Sequence, residues 1–550
     1  MSIEKIKLAA AWLLLAGIAT LLRFKTVLQS DALFTDSLLT DLFIHGGRWG
    51  DWALVQAPAF VPDMLLYLLA YPLFPDAASR IFFVSAAQVL LLAGAVLWCA
   101  RQIHPQLSAR AQTALLVLLA FVTLVAAKSN MWLYFYSTNN HLGATMFGLA
   151  GVGLLLRQLA RPSRAGAVAL VLLIAAAQVS TRLFLLGFVM PLAALLALAL
   201  AVLPRRLEAV RGHRRQAWRL LGVVLASQLL AAALTAVLIV NVPVEGARPV
   251  TPETVAHALK LFLQATAAAF SPDNRWTLAL SASLLLALLY LGAAALRGLQ
   301  LDPDARGLAL RWRGPGAAPG WRFGAAAALL AVALPVGVAG PVLSATFVDL
   351  NAYRYLTFPL TLAVVLVVIT LDRRYGARPL WRAATPLLAG AVLAGGLHLA
   401  RHAAPAAAPA AVVADCLKAV EADGFRLQAG LGDYWNGSAV SYHLPRHNPV
   451  LVTYNNAAPF FWVSTLGPML RPERYPAHQH SNFALLRDAD AGGQFDYTAQ
   501  TIGKLLPPPS RVRACPAARV QIWLYDGPEL DATVATIKAR YLAQRAAGAP

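Results

Sequence analysis

The chain has 550 residues, of which 59% are hydrophobic and only 13% charged, with a mean hydropathy of +0.60. A water-soluble protein of this length could not cover so much apolar material with polar surface, so the composition excludes a soluble enzyme and indicates a polytopic membrane protein. The formal charge of +20 does not indicate a nucleic-acid partner, because Lys and Arg sit in short runs between apolar segments, as loop charges beside a membrane do.

In chain order there are about eleven apolar segments of bilayer-crossing length, near 8–23, 80–100, 112–127, 141–156, 166–179, 183–203, 220–241, 276–296, 323–341, 353–371 and 383–401. The first lacks a small-residue cleavage site and reads as a retained helix. With the N-terminus taken as cytoplasmic, the connections 1–7, 101–111, 157–165, 204–219, 297–322 and 372–382 hold 22 Lys and Arg. The opposite set, 24–79, 128–140, 180–182, 242–275 and 342–354, is longer in total and holds 8. The positive-inside rule then places the 24–79 loop, and everything after residue 401, on the outer side.

The outer segments are where chemistry is expected. In the first loop Asp36 stands at an N-cap position, and Leu38, Leu39, Leu42 and Phe43 fall on one helical face, which predicts a short surface helix. A second is predicted over 253–270, with Val255, Leu259, Phe262 and Leu263 on its apolar side. The membrane module therefore spans 1–402. An Ala/Pro linker follows at 403–413, and 414–550 has the composition of a soluble domain, expected to be α/β and, from the charge count, periplasmic. Its predicted elements are a helix near 415–422, strands at 425–429, 449–454, 481–486 and 519–525, and a helix near 497–505. Cys416 and Cys515, near its two ends, could pair in an oxidising compartment; Cys99 lies in a span and reads as a core residue.

Several stretches carry a resemblance: Asp36, the Gly47-Arg48-Trp49-Gly50-Asp51-Trp52 run, Pro58 and Pro62, Leu66-Tyr67, Leu73-Phe74 and Arg80 in the first outer loop, and Asn351 to Pro359 at the entry to a late span. With the outer C-terminal domain, this layout resembles the GT-C superfamily of polyprenyl-linked membrane glycosyltransferases, nearest in pattern to the lipid A aminoarabinose transferases and protein O-mannosyltransferases. The resemblance implies inverting transfer of a sugar from a polyprenyl-phosphate donor to an envelope acceptor (lipid A or lipopolysaccharide, another glycan, a lipid or a protein) at the periplasmic face of a bacterial inner membrane. The sequence departs from the family pattern at Asp36-Ser37, where relatives carry paired acids, and at Val61-Pro62-Asp63, where they carry a basic or His residue before adjacent prolines. The metal-holding Asp-x-Asp of oligosaccharyltransferases is not present, so no metal or cofactor is inferred.

On this reading Asp36 is the base that takes the acceptor proton, and Arg354 meets the departing phosphate with Tyr355 beside it and Lys128 and Arg182 in support. Asp41, Asp63 and His141 are further candidates for substrate contact. Each has a plainer structural alternative. Asp36 would cap its helix, Asp41 would be solvated on another face, Arg182 and Arg354 would anchor span ends, and Lys128 and His141 would mark helix ends. The aromatics Tyr434-Trp435 and Phe460-Phe461-Trp462 suit either sugar stacking or a domain core. A secondary transporter, an O-antigen ligase or polymerase, and a non-catalytic scaffold are the competing functional classes.

Overall fold

The computed structural model describes residues 3–21, 30–54, 58–126, 132, 142–202, 208–239, 250–304, 307–312, 320–347, 350–376, 378–402, 409–444, 448–461, 464–488 and 496–547. The described residues of each of the eleven apolar segments fall almost entirely in helix. Among the described residues seven helices are long and apolar enough to cross a membrane by themselves, and the 60–70, 164–180 and 185–201 helices are apolar but shorter. The count of eleven spans is therefore not reproduced by length and apolarity alone. The polytopic, mainly helical architecture with a C-terminal sheet domain is.

Local sequence explains where the helices begin and end. Asp76 caps Ala77–Ile103 by accepting from the Ser79 amide, and that helix stops just before His104-Pro105, where the proline disfavours helical backbone. Ser163 caps Arg164–Ser180 in the same way. The second predicted surface helix is present as Pro252–Ala269, with Thr251 and Thr254 bonded reciprocally at its start and Pro252 in its first turn. Glycines let helices approach closely: a methyl group at Gly148 would meet the Phe358 ring, and one at Gly153 the Trp98 ring.

Inter-helix contacts define the two ends of the bundle. At one end the turn after Ala77–Ile103 meets the end of Thr357–Tyr375, through Ser108 Oγ donating to Asp372 at 2.9 Å and Arg110 donating to the Gly376 carbonyl. At the other, Thr145 and Thr357 are hydrogen-bonded at 2.9 Å, and Gly143 lies against Pro62 and Asp63. The starts of Ala77–Ile103, Leu142–Ala160 and Thr357–Tyr375 thus share one end.

A two-residue strand, β1 (Trp52–Ala53), opens the strand order, and β2 (Leu299–Asp304) and β3 (Gly307–Trp312) form a hairpin. In the C-terminal domain β4 (Ala429–Gly432), β5 (Val450–Val452), β7 (Ser481–Arg487), β8 (Arg511–Cys515) and β9 (Val520–Leu524) make a five-stranded sheet in the order β5-β4-β7-β9-β8; β6 (Ser464–Thr465) pairs antiparallel with β1. The central strand β7 is buried on both faces. Phe483 and Leu485 pack with Val413, Leu417 and Ile522, while Ala484 and Leu486 pack with Tyr497, Ile502, Tyr525 and Leu530.

The predicted α/β domain exists, with four adjustments. Its first helix begins at Pro409, inside the expected linker, of which 403–408 lie outside the described residues. The strand expected over 425–429 starts only at Ala429. The 497–505 segment is mostly turn, with a short 3-10 helix at Ile502–Leu505. Strand β8 and the helix Glu529–Ala546 were not anticipated, because β8 is an exposed edge with arginines at 511 and 513, and the helix buries only Leu530, Val534 and Ile537. Cys416 and Cys515 form a disulfide that ties the Pro409–Ala422 helix to β8, and Cys99 is free and buried.

Candidate functional site

The loop after the first apolar segment folds into a helix, Ser30–Phe43, that is longer than predicted. Asp36 is therefore not its N-cap but lies mid-helix, fully buried. Residues four apart lie on one helical face, and this helix uses two such pairs differently. Asp36 and Thr40 face the membrane module: Arg80 donates from Nε and Nη2 to the Asp36 carboxylate at 2.5 and 3.1 Å, and the Tyr71 hydroxyl lies 3.3 Å from Thr40 Oγ1. Ser37 and Asp41 face the C-terminal domain. There the Tyr442 hydroxyl is 2.5 Å from Ser37 Oγ, and Tyr475 donates its hydroxyl to Asp41 at 2.7 Å.

Asp41 is thus not solvated, as its spacing suggested, but buried at 4% exposure, and it also accepts from the Trp52 indole at 2.6 Å. The amphipathic face was also read too widely: Leu38 and Leu39 are buried, whereas Phe43 is 60% exposed. Burial raises the Asp36 carboxyl above its ordinary value, against the hydrogen bonds and charge of Arg80. Burial, with the Asp36 charge behind it, also pushes the Tyr442 hydroxyl up, so this phenol stays protonated at any physiological pH.

The loop between the two halves of the site is bonded to the 164–180 helix. The Ala59 amide donates to the Ser180 carbonyl and the Val61 amide to its hydroxyl, and Val61-Pro62 is a cis peptide. That arrangement buries Asp63 at 3% exposure, where it accepts from Gln88, two turns along the helix that carries Arg80. Gly143 adjoins Asp63, and the next residue, Ala144, lines a small cavity with Leu183, Phe184, Phe188, Arg354 and Tyr355. The Arg354 guanidinium lies 5.8 Å from the Tyr355 ring centre.

Asp36, Asp63, Arg354 and Tyr355 are accordingly brought to the same end of the bundle. Arg182 is exposed; its neighbours Leu183 and Phe184, not Arg182 itself, line the cavity. Lys128 and His141 lie outside the described residues. Of the aromatics proposed for sugar stacking, Tyr434, Phe460 and Phe461 are buried in the C-terminal domain, Trp435 is exposed, and Trp462 lies outside the described residues. Among the described residues no three His, Cys, Asp or Glu side chains converge, so no metal site is assigned.

Gln88, Tyr71, Tyr442 and Tyr475 were not anticipated. The two last-named tyrosines reach the first loop across 405 and 434 residues, and nothing in local spacing marks such contacts. Gly47 was a legible clue, since a side chain there would collide with the Asp41 carboxylate.

No protein-family model matches the chain, and no curated protein sequence does. Among solved structures, it is similar to ArnT. The structure of ArnT from Cupriavidus metallidurans bound to undecaprenyl phosphate is 14% identical, covers 94% of this chain and 97% of its own, and gives a TM-score of 0.44. ArnT in the apo state gives 12% identity and a TM-score of 0.38 at the same coverage. The Archaeoglobus fulgidus oligosaccharyltransferase, in complex with Zn and sulfate, is 12% identical over 86% of this chain and 67% of its own, with a TM-score of 0.40.

Proposed function

We propose that the protein is an inverting glycosyltransferase, moving a sugar from a polyprenyl-phosphate donor to a hydroxyl or phosphate of a cell-envelope acceptor at the periplasmic face of a bacterial inner membrane. The observation that carries this reading is the line of buried polar groups at one end of an apolar bundle, from Asp36–Arg80 through Asp63 to the cavity beside Arg354 and Tyr355. Charges this deep are costly, and three buried outer-loop carboxylates exceed what a helix cap or anchor requires. The cavity joins the aromatic walls Phe184, Phe188 and Phe358 to a guanidinium, a combination suited to an amphiphile with an anionic head.

In the reaction, the acceptor O–H bond breaks as its proton passes to the Asp36 carboxylate, and the acceptor oxygen bonds to the sugar's anomeric carbon. The bond from that carbon to the phosphate oxygen breaks, and its electron pair leaves on polyprenyl phosphate, whose charge Arg354 and Tyr355 receive. Asp36 is closed off by Arg80 in the conformation described, so acceptor access requires that grip to loosen. A second assignment of the base, Asp63, is favoured by its position against Gly143, the chain neighbour of the cavity-lining Ala144.

The test compares envelope glycans and glycolipids of a deletion strain with strains carrying wild type, Asp36→Asn or Asp63→Asn. Full loss only in Asp36→Asn, with Asp63→Asn at least partly active, supports Asp36 as the base. Full loss only in Asp63→Asn moves the base there, and restoration by both folded variants removes the proposed base chemistry. Net solute flux in vesicles would instead favour a transporter.

A further inference from the structure

The helix Ser30–Phe43 is held on two faces that belong to different halves of the chain. Asp36 and Thr40 face Arg80 and Tyr71, while Ser37 and Asp41 face Tyr442 and Tyr475. Because successive residues on a helix are rotated by about 100°, fixing Ser37 and Asp41 fixes the direction in which Asp36 points. The docking is continuous beyond the two tyrosines. Trp52 and Ala53 pair with Thr465 and Ser464, the Leu466 amide donates to the Asp51 carbonyl at 2.7 Å, Arg471 pairs with Asp51, and Arg474 donates to the Gly46 carbonyl. A single apolar core also runs from Leu33 and Leu39 through Tyr67 and Ile81 to Val413, Leu417 and Val440.

We infer that the C-terminal domain completes the outer site, with Tyr442 and Tyr475 acting as positioning residues that set the rotation of the Ser30–Phe43 helix and so the orientation of the Asp36 carboxylate. Neither tyrosine needs to touch substrate. Tyr442 acts from beside the Asp36–Arg80 pair, and Tyr475 acts one helical turn away through Asp41. The inference rests on the glycosyltransferase reading for its functional consequence, but its mechanical part stands apart from it.

Two measurements separate these. Hydrogen exchange of the amides in 33–43 is read on the full-length protein in detergent, without any substrate. Tyr475→Phe and Tyr442→Phe are expected to speed exchange there about tenfold or more while the 77–103 helix is unchanged; unchanged exchange in 33–43 would overturn the clamp. Transfer is then read with deletion-strain membranes, using their own extracted polyprenyl-linked lipid pool as donor and the rate of forming the lost glycan as signal. Both variants are expected to slow transfer about tenfold. Tyr442→Phe, by letting Asp36 turn away from the Arg80 hydrogen bonds that hold its carboxyl down, is expected to move the acid limb of the pH profile upward. Should Tyr442→Phe fail to fold, Ser37→Ala removes the same contact from the helix side and is expected to give the same shift. Wild-type membranes that make no product would sink the glycosyltransferase reading and leave the clamp standing. Wild-type activity with variant rates and pH profiles unchanged would sink the positioning role alone.

Discussion

Arg80 holds Asp36 with two nitrogens, Nε and Nη2, while its third, Nη1, donates to the carbonyls of Phe74 and Pro75 at 2.9 and 3.0 Å. Neither partner has water to turn to: Asp36 is fully buried and Arg80 is 8% exposed. Removing one side of such a pair leaves the other charge buried and uncompensated, at a cost of about 3–5 kcal/mol. Asp36→Asn and Arg80→Gln should each lower the melting temperature in detergent, and the double variant should recover part of the loss. A double variant that melts at the sum of the two losses would show the residues to be uncoupled.

The same burial predicts a pH dependence of activity. A general base works as its ionised form, and the Asp36 carboxyl is raised above 3.8 because desolvation exceeds the opposing effect of Arg80. Transfer should therefore fall as pH drops through a value above the ordinary aspartate range. An acid limb at or below 3.8 in a protein that is still folded would remove Asp36 from the role.

Gly47 gives a substitution test of the clamp from the other side. A methyl group there must displace the Asp41 carboxylate, and with it the bonds to Trp52 and Tyr475. Hydrogen bonds to a carboxylate contribute about 1.5–3 kcal/mol each. Gly47→Ala should lose about 2 kcal/mol of stability and shift the emission of the buried Trp52 to longer wavelength; an unchanged spectrum and melting curve would contradict the geometry.

His478 lies against Tyr475, with ring centres 5.8 Å apart, and burial followed by the charges of Lys538 and His45 pushes its imidazole below 6.5. A base whose folded value is depressed contributes stability above its unfolded value and loses it as pH falls. The melting temperature should accordingly decline as pH drops below 6.5, and His478→Gln should flatten that slope. Parallel slopes for the two proteins would show that His478 does not carry the effect.

The Cys416–Cys515 bond closes a loop across a sequence separation of 99 and joins the helix that follows the last apolar segment to edge strand β8. Its loss should cost about 2–5 kcal/mol of domain stability. Thermal melts with and without reductant, and of Cys416→Ser, should show the C-terminal domain unfolding earlier than the membrane module.

The membrane architecture was legible because apolar length and loop charge are carried by contiguous residues, and the α/β domain because its central strand β7 is a strong apolar run. Asp36 and Arg354 could be singled out as charges at the ends of apolar segments. What local pattern could not carry was the partnership of each. Asp36 looked like a cap although Ser30 and Asp31 upstream are cap-type residues too and mark the observed start, and Asp41 looked solvated because its partner Tyr475 is 434 residues away. Buried polar pairs made between distant residues satisfy each other in space and leave each sequence segment looking polar and exposed.

The bond between Asp41 and Tyr475 also has a meaning in time. The two residues are 434 positions apart, so when the first loop is made its carboxylate can meet the Trp52 indole but not the tyrosine. At about 5–20 residues per second, the ribosome needs on the order of tens of seconds to supply the tyrosine. Until then the loop lacks half of its partners, and a chain halted just before the C-terminal domain is made would hold its apolar helices yet lack both tyrosines that grip the loop.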